Sequence, residues 1–449
     1  AVAAAPLARA CGLHHHLWLV FWCVLALLFA LSLTLGRRFY LIATLAASSM
    51  ILAHLAVTLP AYFSHPAQAS TVASPGIGHF LYLILDEHNG IAGFPESIPE
   101  CRAARDEVQA LYLRYGFRLF PEAHSNYPAT LDSIPSILNR RLSQRRYQFV
   151  HNGAADPFGV FHVEAAPFFD AFRRHGYAIN VTQFHGIAFD GAQPAAVTEY
   201  DDSLAPLAQL DLRWQDRFTL LLGRYQSSGG EVFRQWKGVL PFRFKDQFVL
   251  PIGAAPWWHR HLLDAISSAS RPTLFFAHIP LPHGPYLFRE DGSQRQLAEW
   301  SRDQAYDRVS AAEYRARYKR YAAQVRFTAR QLDWLFSRLA ASGRLDQFTI
   351  VVHSDHASRI RLLRPEAPYN LPSDTYDYQA RPTRADFNDR FSILFAVKPP
   401  HAGAGEIVPG ARGILQLLAS EVFSQPHPAE PDAVFLFRPD HSQIQVNFQ

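Results

Sequence analysis

The chain has 449 residues, enough for one large domain or two ordinary ones. Its formal charge is only +4, with basic and acidic residues interleaved, which excludes a nucleic-acid-binding stripe. Of three cysteines, Cys11 and Cys23 lie in or before an apolar segment and Cys101 stands alone, so neither a disulfide framework nor a zinc knuckle can be built.

Residues 1–60 read as a transmembrane region. Leu17–Leu35 and Phe39–Leu59 are apolar runs without formal charge, separated by Gly36-Arg37-Arg38. Each is close to the ~20 residues that cross a hydrocarbon core as a helix. A second span directly after the first argues against a cleavable signal peptide. The Arg37-Arg38 turn belongs on the cytoplasmic side, which places everything after Leu59 outside. The first residue is Ala rather than Met, so the chain is expected to be a fragment or a processed form, with room for further spans before these. Residues 61–78 are small, polar and Pro-bearing without periodicity, the composition of a linker.

From residue 79 to 449 short apolar runs alternate with helical stretches, the pattern of an α/β fold with a largely parallel sheet. Strands are predicted at Phe80–Leu85, Thr273–His278, Phe348–Val352 and Ser392–Val397. The spacing of Tyr321, Val325, Thr328, Leu332, Leu335 and Leu339 predicts a helix over Ala311–Ser342 that Gly343 stops.

Polar clusters gather where these strands end, the usual place for function in open α/β sheets. Asp86 directly follows the first strand, with Glu87 and His88 beside it; such carboxylates either ligate a metal or cap the next helix. In His124–Leu138, Thr130 or Ser133 stands at a predicted helix entrance. Unpaired N–H groups and the helix dipole favour an anionic ester there, although Thr, Ser and Asp are also ordinary N-caps. A neutral threonine hydroxyl is a poor nucleophile, but coordination to a divalent cation lowers its pKa. His278 ends the second strand, as a site residue or as a hydrogen-bonded core histidine. His283 lies in a stiff loop containing Pro280, Pro282, Gly284 and Pro285, which suits contact with an anion. After the third strand, Asp355-His356 offers a carboxylate and an imidazole on one turn, a metal-ligating pair.

Together and in this order, the four segments resemble the alkaline phosphatase superfamily, and within it the sulfatase-like membrane-anchored branch that includes phosphoethanolamine transferases and lipoteichoic-acid synthases. The resemblance covers about residues 79–425 and implies a sulfatase-like α/β sandwich preceded by the transmembrane hairpin. Thr130-Leu-Asp-Ser133 matches the Thr-x-x-Ser segment that carries the nucleophile, and Ser133-Ile-Pro continues it. Phe348–His356 matches the apolar strand followed by Ser-Asp-His. Asp86 falls at the first acidic ligand, with Glu87 as the fallback. Pro282-His283-Gly-Pro matches the Pro-His-x-Pro loop whose histidine contacts the anionic group. Departures also stand out. Ala357 replaces the usual glycine, which makes that backbone less free. Ile137 stands where a formylglycine sulfatase needs Arg. No histidine follows until His401, so Arg359 or Arg361 is expected in its place. The tail from His401 matches no segment of the family.

The resemblance implies one divalent metal held by Asp86, Thr130, Asp355 and His356, zinc or manganese first and magnesium or calcium as alternatives. Thr130 would be the nucleophile, and His278, His283, Ser133 and Arg359 would contact the substrate. The expected activity is transfer of a phosphoethanolamine- or phosphoglycerol-type group from a membrane lipid or periplasmic phosphodiester or sulfate ester, at the bacterial inner membrane with the catalytic domain on the periplasmic or extracellular side. The alternatives are a sulfuric or phosphoric ester hydrolase, and a degenerate membrane-anchored binding protein that lacks metal.

Overall fold

The computed structural model describes residues 78–150, 161–184, 187–189, 193–199, 249–300, 309–363, 383–423, 433–437 and 441–446. The chain divides into Ala1–Thr71 and Val72–Gln449, and all described residues belong to the second unit. The two apolar runs at 17–35 and 39–59, and the linker up to residue 77, lie outside the described residues. Among the described residues no helix is long and apolar enough to cross a membrane.

The predicted α/β pattern holds. An eight-stranded sheet forms from β1 (His79–Leu85), β2 (Arg118–Leu119), β3 (Ala178–Gln183), β4 (Ala196–Glu199), β5 (Thr273–Ile279), β6 (Phe348–Ser354), β7 (Phe395–Lys398) and β8 (Glu406–Ile407), in the order β8-β2-β7-β6-β1-β5-β3-β4. All neighbours pair in parallel except β7, which runs against both β6 and β2. β1, β5 and β6 are buried on both faces, which is why their sequences read as continuous apolar runs rather than alternating ones.

The helices that matter for the site are α1 (Pro99–Arg114), α2 (Thr130–Asn139), α3 (Pro167–Arg174), α4 (Trp258–Ser268), α5 (Ala311–Ala341) and α6 (Arg384–Phe391). The pleat of β1 sends Leu81, Leu83 and Leu85 to one face, where they join Val108 of α1, Leu262 of α4 and Leu335 of α5. Phe80, Tyr82 and Ile84 go to the other, with Ile134 of α2 and Phe168 of α3. α5 ends within a residue of its predicted stop. Ser310 caps its start by accepting from the Glu313 N–H, and Gly343 leaves it with a φ of +68°.

The strand predicted at Ser392–Val397 begins only at Phe395. α6 runs up to Phe391 and Ser392 is its C-cap, so the apolar run straddles a helix end and a strand start. The unassigned tail contributes an antiparallel pair, Val434–Phe437 with Gln443–Val446. Phe435 and Phe437 stack on Tyr127, and Asn126 donates to the Ala433 carbonyl at 2.7 Å. The tail thereby props the loop that leads into α2.

Candidate active site

Register brings the carboxylates together. Leu85 pairs with Ile279 on one side and Ser354 on the other, so the residues that follow β1 and β6, Asp86 and Asp355, emerge side by side. Both are buried, as are Glu87, His278, His283 and His356. Asp86, Asp355 and His356 bring one ligand atom each within 4.8 Å of one another. Thr130, the first residue of α2, is half-buried at this cluster. Its hydroxyl donates to Asp355 Oδ2 at 2.6 Å and lies 3.2 Å from His356 Nε2.

The side chains are oriented for a cation. His356 Nδ1 donates to the Ala357 carbonyl at 2.9 Å, which leaves Nε2 with its lone pair turned 3.4 Å from Asp355 Oδ2 and 3.7 Å from Asp86 Oδ1. Asp86 Oδ1 is buried and accepts no hydrogen bond. Burial, followed by the charges of Asp355 and Glu87, pushes the Asp86 carboxyl well above the usual range. Burial also raises Asp355, but His356, His278 and the Thr130 hydroxyl outweigh it and leave that carboxyl low. Two buried carboxylates, an imidazole lone pair and a hydroxyl suit a divalent cation such as zinc or manganese.

A second layer surrounds the cluster. His278 places Nε2 3.8 Å from Asp86 Oδ2 and packs against Phe184; burial pushes this imidazole down to about 4. His283 lies 3.6 Å from Glu87 Oε1. Arg359 pairs with Glu87 through Nη2 and reaches the Pro128 carbonyl at 3.4 Å, two residues before Thr130. Arg361, the alternative to it, is engaged by Asp386 at 2.9 Å. Two expectations need correction. Ser133 is buried and donates to the Tyr127 carbonyl at 3.0 Å, holding the turn into α2 rather than facing the cluster. Glu87, the fallback ligand, is not among the clustered donors because its carboxylate turns to Arg359 and His283. Ala357, which replaces the expected glycine, is not among the residues with positive φ; the left-handed backbone falls on Arg359 instead.

Several residues that hold this arrangement escaped the sequence reading. The Asn89 amide oxygen accepts from the Ser358 N–H at 2.8 Å, tying the turn after β1 to the loop after β6. Gly90 follows because a Cβ there would meet the Ile393 carbonyl oxygen at 2.4 Å. Tyr321 of α5 accepts from the Asn89 N–H at 2.8 Å and donates to the Glu87 carbonyl at 3.0 Å. Gln324 donates to the Pro282 and His283 carbonyls at 3.2 and 2.9 Å, fixing the proline loop. The signal was there for Gln324, a polar residue within an apolar stripe. Asp389 of α6 gave none. It accepts from Tyr318, Ser358 and the Arg361 N–H at 2.6, 3.1 and 2.7 Å.

Burial pushes the Asp389 carboxyl from its ordinary 3.8 up to about 6. A folded-state value above the unfolded one means stability that is full below about pH 4 and lost as pH rises through about 6. Replacing Asp389 with Asn removes that titration. Relative to the variant, the wild type should therefore lose on the order of 3 kcal/mol between about pH 4 and pH 7. Urea melts of both proteins at the two pH values check this; a constant difference would mean that Asp389 titrates as an ordinary carboxylate.

The Sulfatase family model matches residues 104–387, a span that includes Thr130, His278, His283, Asp355, His356 and Arg359. No curated protein matches the chain. Solved structures similar to it include the phosphonate monoester hydrolase of Agrobacterium radiobacter, at 13% identity over 80% of each chain with a TM-score of 0.45. The C-terminal periplasmic domain of EcEptC from Escherichia coli, in complex with Zn, is 10% identical over 84% of this chain and 96% of that one, with a TM-score of 0.46. The phosphonate monoester hydrolase SpPMH from Silicibacter pomeroyi is 11% identical over 78% and 74%, with a TM-score of 0.45.

Proposed function

The chain belongs to the sulfatase family, within the alkaline phosphatase superfamily, and from that premise we propose that it is a membrane-anchored phosphoryl-ester transferase with Thr130 as its nucleophile. As a family member it is an enzyme that hydrolyses or transfers sulfate or phosphate esters. The finer reading is carried by one observation: the hydroxyl of the first residue of α2 donates to Asp355 Oδ2 at 2.6 Å, at a buried cluster of two carboxylates and an imidazole. Asp86, Asp355 and His356 would hold a divalent cation, which when bound supplies charge neutralisation and Lewis acidity beside Thr130.

Thr130 Oγ attacks the phosphorus of a diester. As the Oγ–P bond forms, the bond to the leaving alkoxide breaks and that oxygen takes a proton from water. The Thr130 proton departs along the hydrogen bond to Asp355 Oδ2. The positive end of α2 and the Arg359 guanidinium offset charge on the phosphoryl oxygens, and His283 stands across the site on its proline loop. An acceptor alcohol or water then breaks the Oγ–P bond, and Oγ regains its proton. Ile137 in place of the formylglycine motif's Arg, and the engagement of Ser133 by Tyr127, favour Thr130 over a serine-derived nucleophile. The runs at 17–35 and 39–59 support anchorage to the bacterial inner membrane with the site on its outer side. A lipid donor of phosphoethanolamine or phosphoglycerol type suits that location.

Quenching the protein in acid during turnover of a chromogenic phosphodiester, followed by peptide mass spectrometry, tests the covalent step. A phosphoryl adduct on Thr130 is expected. Turnover with an adduct on another residue, or with none at any quench time, would sink the assignment. Release to an added alcohol rather than to water separates the transferase from a hydrolase.

A further inference from the structure

Two non-glycine residues of the site adopt left-handed backbone, Glu87 with a φ of +61° and Arg359 with a φ of +60°. Such a conformation is unfavourable for an L-residue and persists only where its surroundings enforce it, commonly at functional sites. These two lie at the ends of adjacent strands and are joined to each other by an ion pair, both largely shielded from solvent. Glu87 is held from four directions. Its N–H donates to Asp355 Oδ1 at 3.3 Å, its carbonyl accepts from Tyr321 at 3.0 Å, Oε2 accepts from the Gly284 N–H at 3.3 Å, and Oε1 faces both Arg359 and His283. A carboxylate fixed this firmly next to the metal-ligating cluster, yet outside it, adds a negative charge where an anionic substrate must bind.

We propose that Glu87 is a specificity-determining residue: it positions Arg359 and His283 and cancels the Arg359 charge, so that the site selects monoanionic esters over dianionic ones. The inference rests on the cluster being the ester site and deepens that reading. Burial alone would raise the Glu87 carboxyl, but His283, Arg359 and His356 outweigh it and hold the group below the usual range. With that charge in place, a phosphodiester or a sulfate monoester brings one negative charge to a guanidinium already neutralised. A phosphate monoester brings a second charge that finds no free partner and meets the Glu87 carboxylate at close range.

The test needs no turnover. The metal-loaded full chain is titrated calorimetrically at about pH 8.5 with methyl methylphosphonate, a monoanion, and with methylphosphonate, predominantly a dianion. The wild type should prefer the monoanion. Glu87→Gln should shift the ratio toward the dianion by about tenfold or more, with metal content unchanged. Arg359→Gln should shift it the opposite way, and the double variant should return it towards the wild-type value, a rescue that a merely structural role would not produce. Circular dichroism checks each fold, and the Arg359 arm stands by itself if Glu87→Gln does not fold. An unchanged ratio in the folded variants overturns the inference. So does loss of metal from Glu87→Gln, which would make Glu87 a ligand. Binding of neither anion to the wild type would overturn this inference together with the ester-site reading, whereas a ratio indifferent to both substitutions overturns it alone.

Discussion

Replacing Thr130 with alanine is expected to lower turnover by about four orders of magnitude or more while leaving the fold intact. Removing the nucleophile of an enzyme that forms a covalent intermediate costs on this scale, because no neighbouring group takes its place. Ser133, the nearest hydroxyl in sequence, is committed to the Tyr127 carbonyl. The structural cost is small. Thr130 is half-buried at the first position of α2, where alanine is a better helix former, and the one hydrogen bond lost, to Asp355, is worth about 1 kcal/mol. Thr130→Ser keeps the hydroxyl but loses the branch that fixes its rotamer, so it should retain measurable activity. Steady-state rates on a chromogenic phosphodiester and thermal melts of the three proteins decide this. Wild-type rates in the alanine variant would remove Thr130 from the mechanism.

What the sequence made legible follows from what its patterns encode. Buried parallel strands appear as unbroken apolar runs, so β1, β5 and β6 could be located and the polar residues past them, Asp86, His278 and Asp355, read as one edge. Thr130 could be placed at a helix start because the loop before α2 is rich in turn and capping residues. Side-chain partnership across the fold has no such signature. Glu87 is adjacent to Asp86 and of the same chemistry, and only the proximity of Arg359, carried by a loop 272 residues away, turns it from the metal cluster. Asp389 reads as a solvated helix residue until α6 is seen to pack against the turn after β6. Ser133 illustrates the converse: a hydroxyl in a family-like motif that is consumed by a local backbone carbonyl. The chain's polar framework is non-local, whereas periodicity reports only local burial.

Substituting Asp355 with Asn is expected to abolish metal retention, and with it the metal dependence of stability. Asp355 contributes one of two buried carboxylates in the cluster, and its oxygens also accept from the His356 N–H at 2.9 Å and the Glu87 N–H at 3.3 Å. Asparagine keeps an acceptor for those donors but removes the charge, so the loop should survive while the ligand set does not. The wild type should carry about one tightly held zinc or manganese ion per chain, measured by elemental analysis. Because the ion binds the folded state alone, a hundredfold excess over Kd adds about 2.7 kcal/mol, a rise on the order of 5 °C in melting temperature. The sign reverses without metal. Stripped wild type must keep Asp86 and Asp355 together in a buried site, which pushes the Asp86 carboxyl well up and sets the two groups in opposition. Stripped Asp355→Asn has lost that opposition and should melt no lower than stripped wild type. Melts with and without a chelator therefore give two readouts of one site: a large metal-dependent shift in the wild type, and none in the variant. Metal kept by Asp355→Asn, or a wild-type melt unmoved by chelation, would show that the cluster does not hold the ion.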